Sequence, residues 1–234
     1  MKVILLDHTE NPVNKIAYCA RICYSTRRPE ELKEKLSVKE ANRMVKMIIE
    51  SGHHSILEHI NFTFGVTGIS RNASHQIVRH RMSSFAQQSL RYSELTDTLS
   101  DAYSMTEEYN IPEYIKTSPE LSRVYIDELE KMEKLSLESY HRLLENDIRP
   151  EDARNVLLTS INSNMIITMN GRALFNFFNL RLCFKAQSEI RKIASEMFII
   201  LNKKYPEIFQ MKYCGPNCYV SGKECKEIQP CLKI

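Results

Sequence analysis

Apolar residues recur along this chain with two periods, one near two and one near three and a half, and their succession lays out the elements. Val3 to Leu6 form an apolar run that reads as a short buried strand. Asn11-Pro12 predicts a helix start, the asparagine side chain capping a backbone N–H and the proline sitting where its missing donor costs nothing. That helix reaches about Cys23, and Cys19 and Cys23 share a face with Ile16 and Ala20, as core thiols would. Ser37-Val38-Lys39-Glu40 is a capping box, followed at helical spacing by Val38, Ala41, Met44, Val45, Ile48 and Ile49 until Gly52. Ile60, Phe62, Phe64 and Val66 then alternate with polar neighbours, which predicts a strand with one buried face. Ser70 is placed to cap a helix carrying His75, Gln76, Arg79 and His80 in its last turns. Residues 87–91 read as a strand on which Gln87, Ser89 and Arg91 point the same way, a row of donors for an anion.

Residues 95–117 read as a loop region, and Ser118-Pro119 opens a long helix to about Glu145. Its apolar stripe is Leu121, Val124, Leu129, Met132, Leu135 and Leu143, with mixed charge opposite, the pattern of a scaffold helix. A short helix starts at Pro150, Ser160 to Met169 reads as a strand, and Asn170 caps the helix after it. On that helix Arg172, Asn176 and Arg181 recur among Leu174, Phe175, Phe177 and Phe178. Unpaired buried charge is expensive, so these groups require a partner, either an anionic heteroaromatic ligand or glutamates from other elements. Ala186 to Lys204 is a last amphipathic helix, ending before Tyr205-Pro206.

Length and charge narrow the choice of partner. A chain of 234 residues makes one large domain, or one with an appendage, and buries a core without staples. A net charge of +3 and a pI near 8.4 are mild for a general nucleic-acid binder, so the positive charge is local. No stretch approaches a membrane span and the N-terminal apolar run is too short for a signal peptide, which predicts a cytoplasmic protein. Seven cysteines then point to reduced thiols or a metal site rather than disulfides. Residues 59–93 contain no Asp or Glu and hold Arg71, Arg79, Arg81 and Arg91; residues 153–188 are also acid-free and hold Arg154, Arg172, Arg181 and Lys185. These windows are either two halves of one pocket for a polyanion, since guanidinium forks bind phosphate oxygens in pairs, or two buried segments with arginines at the rim.

Two rival chemistries stay open at this level. His53, His54, Glu58 and His59 are suitable zinc ligands, which allows a metal-dependent hydrolase, although their spacing is not that of a zinc helix and Ser55 to Glu58 again resembles a capping box. The arginine clusters also allow a nucleotide- or RNA-binding module, whose mark would be salt-dependent binding to oligonucleotides.

Arg79-His80-Arg81, seven residues, Ser89 and then Arg91-Tyr92-Ser93 resemble the signature of the flavin-dependent thymidylate synthases. The resemblance extends over most of residues 1–209 through Gly52-His53, Glu58-His59, Gln76, Asn170-x-Arg172, Asn176-x-x-Asn179-Leu180-Arg181 and Ala186-Gln187. It implies an α+β (mixed α/β) fold with an antiparallel-type central sheet flanked by helices, assembled as a homotetramer whose sites are shared between subunits. It also implies reductive methylation of dUMP to dTMP, with methylene-tetrahydrofolate as carbon donor, FAD as redox carrier and NADPH as reductant. By the same resemblance Ser55, Arg79, His80, Arg81, Gln87, Asn170, Arg172 and Asn176 would contact FAD. Gln76, Arg79, Gln87, Gln88, Ser89, Leu90, Arg91, Arg154 and Arg181 would hold dUMP, with His53 near the flavin ring on the folate side.

Arg181 is the expected stabiliser of negative charge developing on the uracil ring, because a guanidinium stays protonated at any relevant pH; such a donor contributes about 3–4 kcal/mol in a transition state. Ser89 is expected to orient the substrate and not to attack it, since its neighbours in sequence offer no base. Gln87 stands where many relatives have Glu, and Lys185 where some have His and others Arg. The chain divides into a catalytic domain, residues 1–209, and a cysteine-rich tail, residues 210–234. In that tail Cys214, Cys218, Cys225 and Cys231 are either a metal site of unusual spacing or reduced thiols.

Overall fold

The computed structural model describes residues 1–31, 36–92, 102–103 and 111–222. Four antiparallel strands, β1 (Lys2–His8), β2 (Asn61–Ser70), β3 (Ser83–Gln87) and β4 (Asn162–Asn170), form one sheet in the order β1-β2-β4-β3. The principal helices are α1 (Pro12–Ile22), α2 (Val38–Glu50), α3 (Arg71–Ile77), α4 (Pro119–Glu145), α5 (Gly171–Arg181) and α6 (Ser188–Lys204). Short helical turns at His54–His59, Glu113–Lys116, Pro150–Ala153, Arg154–Val156, Met211–Cys214 and Asn217–Val220 complete the described elements. An antiparallel sheet with helices is the α+β architecture the sequence implied. No helix among the described residues is long and apolar enough to cross a membrane.

The two central strands carry the core. Phe62, Phe64 and Val66 of β2 and Met165, Ile167 and Met169 of β4 point to one face, where they meet Ile16, Ile48, Phe175, Phe178, Ile193 and Phe198 from the helices. Each of these side chains, removed from water, contributes roughly 1.5–3 kcal/mol before entropy is counted. The opposite face stays open in a single chain: Ile4, Gly65, Ile166 and Ala86 are successive cross-strand partners, with Ile4, Leu6 and Ile166 42, 50 and 46% exposed. β1 is therefore an edge strand buried on one side only, where the sequence had suggested a fully buried one.

A bulge ends the regular part of β2. Its register with β4 shifts between Val66 and Ile69, and Gly68 takes the left-handed conformation (φ 69°) that a side chain would resist. Past the bulge Ser70 caps α3 through Ala73 N, as its sequence context predicts. It is also gripped by Glu189 at the start of α6, whose carboxylate accepts from Ser70 N (2.7 Å) and from its hydroxyl (2.5 Å). Glu189 is wholly buried, and burial raises its pKa against the pull of both Ser70 hydrogen bonds.

Several local expectations are corrected. Asn11 is left-handed and its side chain caps nothing. Residues 54–59 form a 3-10 turn without a side-chain cap, because Glu58 reaches Arg172 instead of its own backbone. α3 stops at Ile77, so Arg79 and His80 lie in the turn beyond it, not on its last turns. The strand expected at 87–91 is displaced to Ser83–Gln87, and residues 89–92 turn, with Tyr92 N bonded to Ser89 O. Cys23 is exposed at the end of α1, so only Cys19 is partly covered. On α4 the stripe of Leu121, Val124, Met132 and Leu135 is more than 40% exposed, and the buried face is Glu133, Ser136, Leu137 and Tyr140. Ser93, and all but 102–103 of the loop region at 95–110, lie outside the described residues.

Glu133 on that face is 2% exposed, and its Oε1 lacks a hydrogen-bond partner among the described residues. Burial, opposed by the Ser160 hydroxyl and reinforced by the Glu130 charge, raises its pKa to about 7. The folded chain thus holds this proton to about pH 7, while the unfolded chain releases it near 4.5. Stability is fully present below the lower value and declines as pH rises towards the higher one. Glu133→Gln, uncharged throughout, is expected to raise the melting temperature at pH 8 relative to the unaltered chain and to leave it unchanged at pH 4.5, as measured by thermal denaturation at both pH values.

Candidate functional site

Asn170, the last residue of β4, pairs with Asn61 at the first residue of β2, and the chain turns there directly into α5. The Asn170 side chain accepts from Ala173 N (2.8 Å), the predicted cap. Gly171 N bonds Ile60 O, and a Cβ on this glycine would lie 2.8 Å from Leu57 O, so only glycine admits so close an approach. That contact seats α5 against the 54–59 turn and aims its exposed face at the turn following α3.

Between them lies a cavity of about 510 Å³, lined by Glu58, Arg79, His80, Arg81, Met82, Ser83, Asn170, Arg172, Ala173, Asn176, Leu180 and Arg181. Four arginines face a single carboxylate, Glu58, which Arg172 already holds at 2.6 Å. This pair is half exposed on both sides and adds little to stability; its effect is to fix the Arg172 fork across the cavity mouth. Arg181 Nε donates to His80 Nε2 (3.0 Å), so that nitrogen is unprotonated and the imidazole is neutral, with its proton on Nδ1. Burial, and then the Arg181 charge, lower the His80 pKa to about 4, and the ring rests edge-on against Phe177. Burial also lowers the Arg181 pKa, without taking a guanidinium near neutrality. Cationic forks, two carboxamides, and Met82 and Leu180 as apolar wall suit a ligand that joins phosphates to a flat ring system.

A second polar cluster sits at the other end of β3. Ser83 lines the cavity, and Gln88 lies five residues further along an extended chain, about 17 Å away. There Gln88 N bonds Asn164 O, Asn164 Nδ2 donates to Gln88 Oε1, and Arg71 Nη2 donates to Gln88 O (2.8 Å). Gln87 donates to Ser163 Oγ (3.1 Å), and Ser89 Oγ accepts from Arg91 N. Arg91 is paired with Glu151 at 2.9 Å, and Arg154 Nε donates to Glu151 O. Arg71 has its pKa lowered by burial and by the nearby Arg154 charge, and its buried Nε has no hydrogen bond among the described residues. This end of β3 is therefore rich in guanidinium donors, with Arg71 half-buried beside the Arg154 charge.

The sequence-selected residues thus fall into groups. Arg79, His80, Arg81, Asn170, Arg172, Asn176 and Arg181 meet in the cavity; Gln87, Gln88, Ser89, Arg91 and Arg154 gather at the far end of β3. Gln76 is half-buried, its side chain turned back to Asn72 O, and Leu90 is a core residue, 7% exposed. Ser55 is exposed and outside the cavity lining. His53 bonds the Tyr24 hydroxyl and borders a separate hollow with Arg21, Arg27, Met44 and Met47. Arg71, Glu151 and Asn164 were not singled out from sequence, although Arg71 stood in the first acid-free window.

His53, His54 and Glu58 have partners other than one another. His54 Nε2 is engaged by Ile49 O and its ring lies on Phe175, His53 bonds Tyr24, and Glu58 bonds Arg172. Among the described residues no three His, Cys, Asp or Glu side chains are grouped to hold an ion. Of the tail thiols, Cys214 is buried in the main core, where burial pushes its pKa up, Cys218 is half-buried, and Cys225 and Cys231 lie outside the described residues.

Comparisons with known proteins bear on the chain's family and fold. The family model described as "Thymidylate synthase complementing protein" matches residues 4–207. A flavin-dependent thymidylate synthase of Geobacter sulfurreducens is 38% identical over 218 residues, 93% of this chain and 88% of that protein. One of Clostridium tetani is 37% identical over 239 residues, 97% and 91% of the two. Among solved structures, the UMP/dUMP methylase PolB from Streptomyces cacaoi, bound with 5-Br dUMP, superposes with a TM-score of 0.75 at 23% identity, over 92% of this chain and 95% of that one. At that identity the likeness speaks for the fold.

The His80 geometry has a measurable consequence. An NMR titration should show this imidazole neutral until about pH 4, and the folded chain losing stability as pH falls from 6.5 towards that value, because the unfolded chain binds the proton first. Arg181→Met should raise the His80 pKa only part of the way to 6.5, since burial is the larger cause. A His80 titrating at 6.5 in the unaltered chain would contradict the hydrogen bond from Arg181.

Proposed function

The chain belongs to the flavin-dependent thymidylate synthase family, and from that membership we propose that it is an enzyme that methylates dUMP to dTMP with FAD as redox carrier. The one-carbon unit comes from methylene-tetrahydrofolate and the reducing equivalents from NADPH, the co-substrates of the family's reaction. The observation that carries this reading is the cavity of four arginines and two asparagines against one carboxylate. Its donor set fits a flavin dinucleotide: forks for the phosphates, carboxamides for ring oxygens and nitrogens, and apolar wall for the ring. Arg79, His80, Arg81, Asn170, Arg172 and Asn176 would hold it.

Bound FAD supplies the hydride that no side chain can donate. The chain's own part is binding, orientation and charge. Ser89, Arg91 and Arg154, with Gln88 and Arg71 beside them, take the nucleotide phosphate and sugar. Arg181 stabilises negative charge on the uracil ring as C5 becomes nucleophilic; its Nε is occupied by His80, which leaves the terminal amino groups for the substrate. A neutral His80 is essential to that geometry, because an imidazolium would repel the guanidinium. The sequence neighbours Gln87, Gln88 and Arg91 offer amides and a cation and no base, so Ser89 orients and does not attack.

Within one chain the cavity and the Ser89 cluster lie at opposite ends of β3. We read the complete site as shared between copies in a homotetramer, and the open apolar sheet face of Ile4, Leu6 and Ile166 supports burial against another copy. Residues 1–209 are the catalytic body, against which residues 211–214 pack through Cys214 at the start of the 210–234 segment, and the setting is the cytoplasm.

The decisive test is tritium release from 5-³H-dUMP under anaerobic conditions with flavin-loaded protein, folate donor and NADPH. The reading expects release that depends on all three, and a fall in kcat of about a hundredfold to a thousandfold in Arg181→Ala, the usual cost of removing a preorganised charge donor. Intact, flavin-loaded protein that releases no tritium would end the assignment.

A further inference from the structure

The Ser89–Arg91 and Arg154 segments are loops, yet a phosphate site must hold its guanidiniums within a fraction of an ångström. Both are anchored to the same small core, separate from the main one. Leu90, between Ser89 and Arg91, packs with Ala102, Tyr103, Leu137 and Ile161, and Leu157 and Leu158 pack against the group. This accounts for an apolar residue inside a polar recognition motif.

At the centre of that satellite core is a hydroxyl pair. Ser136 of α4 is 6% exposed and Tyr103 3%. Ser136 Oγ donates to Val156 O (2.9 Å), lies 2.8 Å from the Tyr103 hydroxyl, and accepts from Leu158 N at 3.2 Å, which also points at the Tyr103 oxygen at 3.3 Å. Ser136 has one proton and spends it on Val156 O, so the Tyr103 proton must go to Ser136 Oγ. The order is fixed in one direction, from Tyr103 through Ser136 to the backbone at 156, with the Leu158 N–H closing the ring. This ring holds the turn that begins at Arg154, where Leu157 N bonds Arg154 O, and Arg154 in turn reaches Glu151, the partner of Arg91.

We infer that Ser136 and Tyr103 are positioning residues for nucleotide binding, setting the Arg154 turn, and through Glu151 the Arg91 guanidinium, without touching the ligand and without bearing on the flavin cavity. The inference rests on the reading that Arg91 and Arg154 hold dUMP. A purely structural role would lower stability and weaken both ligands together; a positioning role splits them.

The test is made on the flavin-loaded full chain with Ser136→Ala, Tyr103→Phe, the double change and Arg154→Ala. It reads the dUMP Kd by calorimetry, the FAD Kd by flavin fluorescence, and KM and kcat in the tritium assay. Ser136→Ala is expected to raise the dUMP Kd and KM about three- to tenfold, the effect of one net hydrogen bond, with kcat and the FAD Kd within twofold. Tyr103→Phe should have a smaller effect, because Ser136 keeps its bonds to Val156 and Leu158, and the double change should cost less than the product of the two. If Ser136→Ala does not fold, Tyr103→Phe carries the same split. Unchanged dUMP binding in both variants while Arg154→Ala weakens it, or a parallel loss of FAD, overturns the inference alone. Unchanged dUMP binding in Arg154→Ala removes the nucleotide reading of this turn and the inference with it.

Discussion

Like charges held together without matching acids are the constraint that shapes this molecule. Arg79, Arg81, Arg172 and Arg181 face one glutamate at one end of β3; at the other end Arg91 pairs with Glu151, Arg154 bonds the Glu151 carbonyl and Arg71 bonds Gln88 O. Left to themselves these side chains would spread into solvent. The apolar packing beneath offsets the cost of keeping them convergent, and under the proposed function an anion would relieve their repulsion.

What keeps each cluster in place differs. The cavity is built on rigid elements: α5 is locked to the β2–β4 pair by the Asn170 cap and by the Gly171 approach to Leu57 O, and His80 is wedged between Phe177 and Arg181. The far cluster stands on loops, and its rigidity is borrowed from α4 through Leu90, Tyr103 and Ser136. Glu189 ties the two regions, since its carboxylate clamps Ser70 at the start of α3, the helix lying between the β2 bulge and the Arg79–Arg81 turn.

Much of this was legible in the chain alone. A period-two run marked β2 and an apolar run marked β4, and Ser37, Ser70 and Asn170 cap their helices as local rules require, because a cap is decided within four residues. The acid-free windows marked both arginine clusters. What failed depended on distant partners. Glu58 looked like half of a capping box until Arg172, more than a hundred residues away, claimed it. The α4 stripe looked buried because Leu and Met recur there, but the helix buries Glu133, Ser136, Leu137 and Tyr140 and leaves Leu121, Val124 and Leu135 outside. Glu133 and Glu189, carboxylates inside a core, have no sequence signal that separates them from surface acids. The displaced third strand follows from turn chemistry: Ser89 bonds Arg91 N and bends the chain that alternation alone would have extended.

The separation along β3 also carries a chemical meaning. A pyrimidine nucleotide has its phosphate and its reactive ring edge at opposite ends, and the two need different treatment: fixed cations that never change for the phosphate, and a cation tuned by a neutral imidazole for the ring. Arg91 and Arg154 are set by carboxylate and backbone, whereas Arg181 is set by His80, whose pKa, lowered to about 4, leaves it uncharged at neutral pH. In the proposed homotetramer, the residues gathered at the two ends of β3 would come from different copies to hold the two ends of the ligand. The open row of Ile4, Gly65, Ile166 and Ala86 is an unpartnered apolar face beside both sets, and in the proposed assembly its burial against another copy would hold them in register.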